Sequence, residues 1–343
     1  MSDLASTQSA NKAARTLKTS GTVRMLNRAG VFLMVGVLFL IGAAFFRERF
    51  LSADSLLTIL RQITQLGIIA IGVSFVTCAG RYVDLSIPST VAAVGFVTLE
   101  AQNQGMGFAA SLLCGLGTGV LIGGFNGWMV GYLRLNPILW TLAMNFLLMG
   151  ILKQAFSGVQ SYPSSEPGSA GDYFKRLSEY ELFGRIPLAT VVLFLLMPLC
   201  WWLMRRTNFG RKIQMVGAAY EPARLSGIDA RRTILLAFAL SGLLTACAAV
   251  FIASKNQKSG FDLGAGLDFS AITAVVIGGV TLAGGVGTVT GVIGGVLLVG
   301  ILNQLVTLAK GDVEVAKIVN GVIFIAVVGL TSWLGRKGGR SNG

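Results

Sequence analysis

The residues able to do chemistry in this chain are few, and they occupy unusual places. Arg61, Gln62, Gln65, Asn126, Asn145, Asn303, Gln304 and Asn320 all fall inside long apolar runs. Polar groups in hydrocarbon are costly and normally face a bundle interior or a cavity. Two readings stay open for the amides. They are hydrogen bonds between helices, or a path of neutral donors and acceptors suited to a polyhydroxy solute, for which Gln65, Asn126, Asn145 and Asn303 are the candidates. A second group lies in GRYVDLSIPST, Gly80 to Thr90. There Asp84 or Ser86 is placed to cap a helix with Pro88 in its first turn, while Arg81 and Tyr82 offer a charge and a ring to a solute, with Asp84 beside them. The third is YEPARLSG, Tyr220 to Gly227. Pro222 suits the first position of a helix and Gly227 the position just past its end, and Glu221 complements the positive N-terminus. Ala223 and Arg224 continue barely one turn between them. A helix this short is unstable alone and needs a groove to dock in.

Several chemistries are excluded. The 343 residues contain no histidine, so neither imidazole acid–base work nor an HExxH zinc site is available. No Gly-Lys-Ser/Thr occurs, which removes a phosphate-cradling loop and ATP hydrolysis by that route. The four cysteines (Cys78, Cys114, Cys200, Cys247) lie in apolar runs without metal-like spacing and read as small core residues. No metal or other cofactor is expected on this chain, and an enzyme is not expected.

The elements that must position these residues are membrane helices. The chain is 53% hydrophobic and only 13% charged, with a mean hydropathy of +0.71, too little charge to cover a soluble surface. Apolar segments recur at 29–46, 56–79, 87–99, 107–133, 138–156, 186–204, 234–253, 269–283, 288–308 and 315–334. The pattern predicts an all-α integral membrane protein of about ten transmembrane helices. The third and eighth segments fall short of a full span of about 17 residues, which is tolerated where protein or a water-filled cavity covers the backbone. A basic segment, 1–28, precedes a single transmembrane domain, 29–334, which contains the polar loop 205–233; a short tail, 335–343, follows. The first apolar run is read as a retained helix, being long for a signal peptide.

The net charge of +13 is not spread evenly. Fifteen of the 28 Lys and Arg residues lie before residue 29, between Arg205 and Arg232, or in the tail. With ten spans all three stretches fall on one side, as the positive-inside rule requires. Both termini and the 205–233 loop are therefore expected in the cytoplasm, and the slightly acidic 157–185 loop outside. The charge is read as topology and contact with membrane lipid, not nucleic-acid binding. Small-residue ladders at Gly119, Gly123, Gly127 and at Gly287, Gly291, Gly295 have the four-residue spacing that brings helices together. They fall in the fourth and ninth segments, as a five-plus-five inverted duplication would place them.

Glu221-Pro222-Ala223-xxx-Gly227 resembles the Glu-Ala-Ala-xxx-Gly coupling motif of bacterial ABC importer permeases. The surrounding TNFGRKIQMVGAAYEPARLSGIDARR is similar to the cytoplasmic loop of the ribose-type sugar permeases, within the branched-chain and monosaccharide permease superfamily. So are NGWMVGYLRLNPILWTLAMNFLLMG, AITAVVIGGVTLAGGVGTVTGVIGG and ILRQITQLGIIAIGVSFV, and the likeness runs from about residue 55 to 330. The resemblance implies a permease subunit in the bacterial inner membrane. It pairs with a second permease copy, identical or not, and with two cytoplasmic ABC ATPase domains carrying ATP and Mg. A periplasmic solute-binding protein delivers a sugar or sugar-like solute. Glu221 to Gly227 would be the helix docking in the ATPase. One departure stands out: where the family carries Gly-Gly-Ile-Asp-Leu-Ser-x-Gly-Ser, this chain has Arg81-Tyr82-Val83-Asp84-Leu85-Ser86-Ile87-Pro88-Ser89. Three glycines are replaced, which leaves a modified sugar, sugar acid or polyol open as substrate.

Two other classes compete with the ATP-driven importer. An ion-gradient-driven secondary transporter predicts uptake into liposomes by the chain alone, insensitive to ATP. A non-transporting scaffold subunit predicts no solute flux in any combination.

Overall fold

A computed structural model describes residues 30–80, 83–182 and 186–310, with isolated positions between 315 and 329. The basic lead, Arg81, Tyr82, Asn320, the tail and most of the tenth apolar segment lie outside the described residues. The helices are α1 Gly30–Leu51, α2 Ala53–Cys78, α3 Ile87–Asn103, α4 Phe108–Gly131, α5 Pro137–Ala155, α6 Ala170–Glu179, α7 Leu188–Arg206, α8 Asn208–Ala218, α9 Tyr220–Leu225, α10 Ala230–Asn256, α11 Leu267–Ile277 and α12 Val289–Leu308. A two-stranded hairpin, β1 Glu181–Leu182 and β2 Ile186–Pro187, separates α6 from α7. The helix starts follow local chemistry. Ser52, Asn136, Ser169, Thr207, Asp229 and Thr288 each accept a first-turn N–H on a side-chain oxygen, satisfying donors that an isolated helix end leaves free.

Seven of these helices, α1, α2, α4, α5, α7, α10 and α12, are long and apolar enough to cross a membrane. The chain is an all-helical integral membrane protein apart from the small hairpin. α2 and α10 form the centre. α10 packs on α4, α2 and α3, and α2 packs on α12, α11 and α7. Leu33, Phe45, Leu139, Phe146, Phe194 and Leu195 point outward from α1, α5 and α7. An apolar periphery around an apolar core is what a lipid solvent demands.

The neighbours of α10 and α2 correspond. α4 and α3 pack on α10 and on each other, and α12 and α11 pack on α2 and on each other. α3, of 17 residues, and α11, of 11, are the two short members. The segment expected at 269–283 ends as a helix at Ile277, because Gly278 and Gly279 open a glycine-rich turn.

Loops gather at two ends. At one end Gly285 N–H donates to the Cys78 carbonyl at 2.9 Å, and a methyl group added at Gly285 would meet Ala218 at 2.8 Å. The starts of α5, α10 and α12 join α8 and α9 there, and Val31 of α1 lies against Gly294 near the start of α12. At the other end Ser254 Oγ donates to the Phe174 carbonyl at 2.6 Å, and Asn103 Nδ2 to the Tyr162 carbonyl at 3.2 Å. The 157–185 stretch, expected only as a polar loop, thus contains α6 and β1. α6 has an apolar face that seats Phe174 in the core.

The two glycine ladders serve different neighbours. In α4, a methyl group at Gly119 would meet Ala246 and the Gly242 carbonyl, both at 2.5 Å, and one at Gly127 would meet Leu235 Cα at 2.7 Å. Gly123 faces Phe238 O and Gly242, so this ladder is the seam with α10. Gly291 and Gly295 face Gly278 and Ala274 of α11. Gly287 precedes α12 and lies on Cys78.

Gly123 and its neighbour Gly124 make a controlled pair, since Gly124 has nothing within 4 Å of an added methyl. Gly123→Val is expected to cost about 1–3 kcal/mol or more by overpacking, lowering the thermal midpoint in detergent, while Gly124→Val leaves it near the parent.

Candidate functional site

Between α2 and α3 the backbone leaves helical geometry, and its polar groups find side-chain partners. The Ser86 N–H and hydroxyl both donate to Asp84 Oδ1, at 2.9 and 2.6 Å. Asn126 of α4, fully buried, donates through Nδ2 to Ser86 Oγ at 2.8 Å and accepts on Oδ1 from Trp140 Nε1 at 2.9 Å. Thr141 Oγ1 accepts the Leu85 N–H at 3.0 Å and donates to the Pro137 carbonyl at 2.8 Å. Asn145 Oδ1 accepts the Ser89 N–H at 3.1 Å. Unpaired buried polar groups cost roughly 1–3 kcal/mol each, so this set lets a helix break exist among apolar neighbours.

The structure brings Asp84, Asn126 and Asn145 together; Asn145 accepts a backbone N–H, while Asn126 bonds the Ser86 hydroxyl and the Trp140 indole. Ser86 occupies the cap position of α3, but its hydroxyl bonds Asp84 and Asn126 and leaves the first-turn amides alone. Trp140 and Thr141 belong to the same cluster. Sequence alone could single them out only by their closeness to Asn136-Pro137 at the start of α5. Asp268, in the first turn of α11, is also buried and lies within electrostatic range of Asp84. The loop before α11 is pressed onto α3, since a methyl group at Gly264 would meet the Pro88 carbonyl at 2.5 Å. The starts of the two short helices thus meet in the interior.

Gln65 is not part of that cluster. It lines a cleft of about 190 Å³ at the α6 end, with Arg61, Glu179, Thr190, Lys255 and Gln257. Arg61 pairs with Glu181 of the hairpin at 3.0 Å. Asn303 sits on α12, half-buried and away from the Asp84 cluster.

At the opposite end, α8 and α9 form a helix pair outside the long apolar helices. α9 begins at Tyr220, two residues before the expected start, so Pro222 is its third residue. Proline is tolerated there because that N–H has no partner within the helix. Gly227 has φ +80°, a left-handed conformation suited to glycine, and the Ile228 N–H returns to the Ala223 carbonyl at 3.1 Å to close the helix end. Ala223 is buried in a cluster with Val76, Val130, Val216 and Ile234, against which Trp140, Tyr220 and Ile228 pack. Glu221 and Arg224 pair with each other at 3.0 Å on the exposed side. Leu225 is 82% exposed, an apolar side chain that sequence reading did not single out. The Arg134 guanidinium, from the α4–α5 turn, lies 5.3 Å from the Tyr220 ring centre, a cation–π distance.

The helix break in the interior and the short capped helix at one end coincide with a family match that spans both. A family model described as "Branched-chain amino acid transport system / permease component" matches residues 55–328. The chain is 32% identical over 289 residues to the autoinducer 2 import system permease protein LsrD of Photorhabdus luminescens, covering 82% of this chain and 84% of that protein. It is 30% identical over 317 residues to the fructose import permease protein FrcC of Rhizobium meliloti, covering 89% and 86%. With a match across most of its length and relatives at this identity, the chain belongs to the branched-chain amino acid transport permease family.

Proposed function

We propose that the chain is the membrane permease subunit of an ATP-driven importer for a sugar or sugar-like solute. It forms the translocation path in the bacterial inner membrane, while ATP and Mg are handled by a separate cytoplasmic ABC ATPase. A periplasmic solute-binding protein delivers the solute at the α6 end, and a second permease copy completes the assembly. The relatives named as import permeases for fructose and for autoinducer 2 support the solute class.

The observation that carries ATP coupling is α9. It is a single turn and a half, held inward only by Ala223 and its neighbours, and it presents Leu225 bare to solvent. Leu225 on so short a helix offers a partner's groove an apolar contact beside the Glu221–Arg224 pair. Glu221, Pro222, Ala223, Arg224 and Gly227 shape that element for the ATPase.

Both termini are assigned to the cytoplasm with α8 and α9. In support, Val31 near the start of α1 lies beside Gly294 at the α8–α9 end, and the basic stretches share one side under a ten-span topology. The five-plus-five inverted repeat is supported by the corresponding surroundings of α2 and α10, with a short helix in the third position of each half.

For the solute path, Gln65 in its polar cleft and the connection bearing Arg81, Tyr82 and Asp84 are the assigned residues. Asn303 remains a path candidate on α12. Asn126 and Asn145 serve the path indirectly, by holding that connection.

Leu225→Glu is expected to abolish association with the ATPase while changing the permease's own stability by no more than about 0.5 kcal/mol, as for an exposed surface site. Co-purification in mild detergent reads the first quantity and thermal unfolding the second; an unchanged ATPase yield would refute the docking role. Gly227→Val should also uncouple, through strain at a positive φ of about 1–2 kcal/mol. Alanine at Arg81 and Tyr82 is expected to lower uptake or shift selectivity among sugars, sugar acids and polyols in reconstituted vesicles. Parental uptake and selectivity in both variants would remove these residues from the path.

A further inference from the structure

The interior helix break and the α8–α9 pair are joined through the start of one helix, α5, by polar bonds on the side of the break and by apolar packing on the side of α8 and α9. α5 turns Ile138, Leu139, Leu142, Phe146, Leu147 and Ile151 outward. Its later turns are seated by Met144, Leu148, Met149 and Leu152, while its attachment to the helix break is concentrated in a few polar side chains. Thr141 and Asn145, four residues apart and on one helix face, hold the backbone N–H groups of Leu85 and Ser89. Trp140 holds Ser86 through Asn126.

That last connection has a fixed direction. An indole N–H only donates, so Asn126 must present its oxygen to Trp140 and its NH₂ to Ser86. The Ser86 hydroxyl, receiving from the amide, then donates to Asp84. Each bond polarises the next, and the chain ends on a carboxylate. A displacement of Trp140 relative to Asp84 breaks the sequence at an identifiable step.

The same start of α5 meets the α8–α9 pair. Arg134 of the α4–α5 turn covers the Tyr220 ring, and Trp140 packs on the cluster containing Val216 of α8 and Ala223 of α9. The near side of the break is held independently. Gly217 of α8 sits directly on the Cys78 carbonyl, and Gly285 N–H bonds the same oxygen. The connection between α2 and α3 is thus strung between two anchors. One is α8 itself, and the other is α5.

We infer that α5 is a lever that carries movement of the α8–α9 pair to the α2–α3 connection, with Trp140, Asn126, Thr141 and Asn145 as its positioning residues. The inference rests on the proposed docking of α9 in an ATPase. Trp140 touches both partners at once, packing on the α8–α9 cluster and bonding Asn126, and what the start of α5 pulls is the stretch Val83 to Ser89.

The test uses the full chain, in a background free of native cysteines, purified with its co-purifying ATPase. Spin labels are placed at Val83 and at exposed Leu236 of α10, and the interlabel distance is measured without nucleotide and with ATP trapped by vanadate. The parent is expected to show a nucleotide-dependent distance change. Thr141→Val and Trp140→Phe preserve size or aromatic packing but remove a hydrogen-bonding group. Each is expected to shrink the change at least twofold, with ATPase association and nucleotide binding retained. Thr141→Ser, which keeps the hydroxyl, restores it. A parent that shows no change, or variants that keep the full change, would overturn the lever. So would variants that lose ATPase association, since α5 would then only support docking. A parent chain that captures no ATPase would instead overturn the docking of α9, a failure distinct from the others.

Discussion

Backbone amides that leave a helix inside an apolar bundle must find partners, because neither lipid nor aliphatic side chains can supply them. The stretch from Val83 to Ser89 places that demand at the centre of this protein. Asp84 answers for one amide, and Thr141 and Asn145 for two more. Asn126 is buried entirely in order to hold Ser86. The arrangement fixes the start of α5 against the break, while Met144, Leu148, Met149 and Leu152 seat its later turns in apolar contacts.

The glycines set the distances at which this can happen. Close approach of α4 to α10, through Gly119, Gly123 and Gly127 against Gly242 and its neighbours, brings Asn126 into the interior. A bulkier seam would move Asn126 away from Ser86 and strand the amide. At the α8–α9 end, Gly217 and Gly285 let α8 rest on the last carbonyl of α2. Packing density and polar satisfaction are therefore one constraint here, and the translocation and coupling roles proposed for this family member draw on the same contacts.

Parts of this were legible in the residues alone. Asn126, Asn145 and Asp84 stood out because polar groups are rare in apolar runs, although their partners lay in other segments. Pro222 and Gly227 indicated a short helix, and only its start moved, since proline fits any of the first few positions of a helix. The content of the 157–185 stretch was hidden by its polarity. α6 is amphipathic over just ten residues, too brief for periodicity to stand out among loop residues. Trp140 and Thr141 gave no signal beyond their closeness to Asn136-Pro137, because tryptophan and threonine are ordinary in membrane helices. Leu225 was hidden for a related reason, as one leucine in a polar loop says nothing about its exposure.

Composition by itself determined that this chain lives in a bilayer, with helices and no histidine chemistry. Those properties are sums over residues and do not depend on which helix meets which. Tertiary structure alone decided that the ladder in α4 faces α10 while Gly295 faces α11, and that one amide holds a backbone N–H and another a hydroxyl at one helix break. It also decided that a leucine on α9 is left bare. The reason is that a hydrogen bond or a close contact is a property of a pair, and its members here lie far apart in the chain, 56 residues for Asn145 and Ser89 and 120 for Arg61 and Glu181.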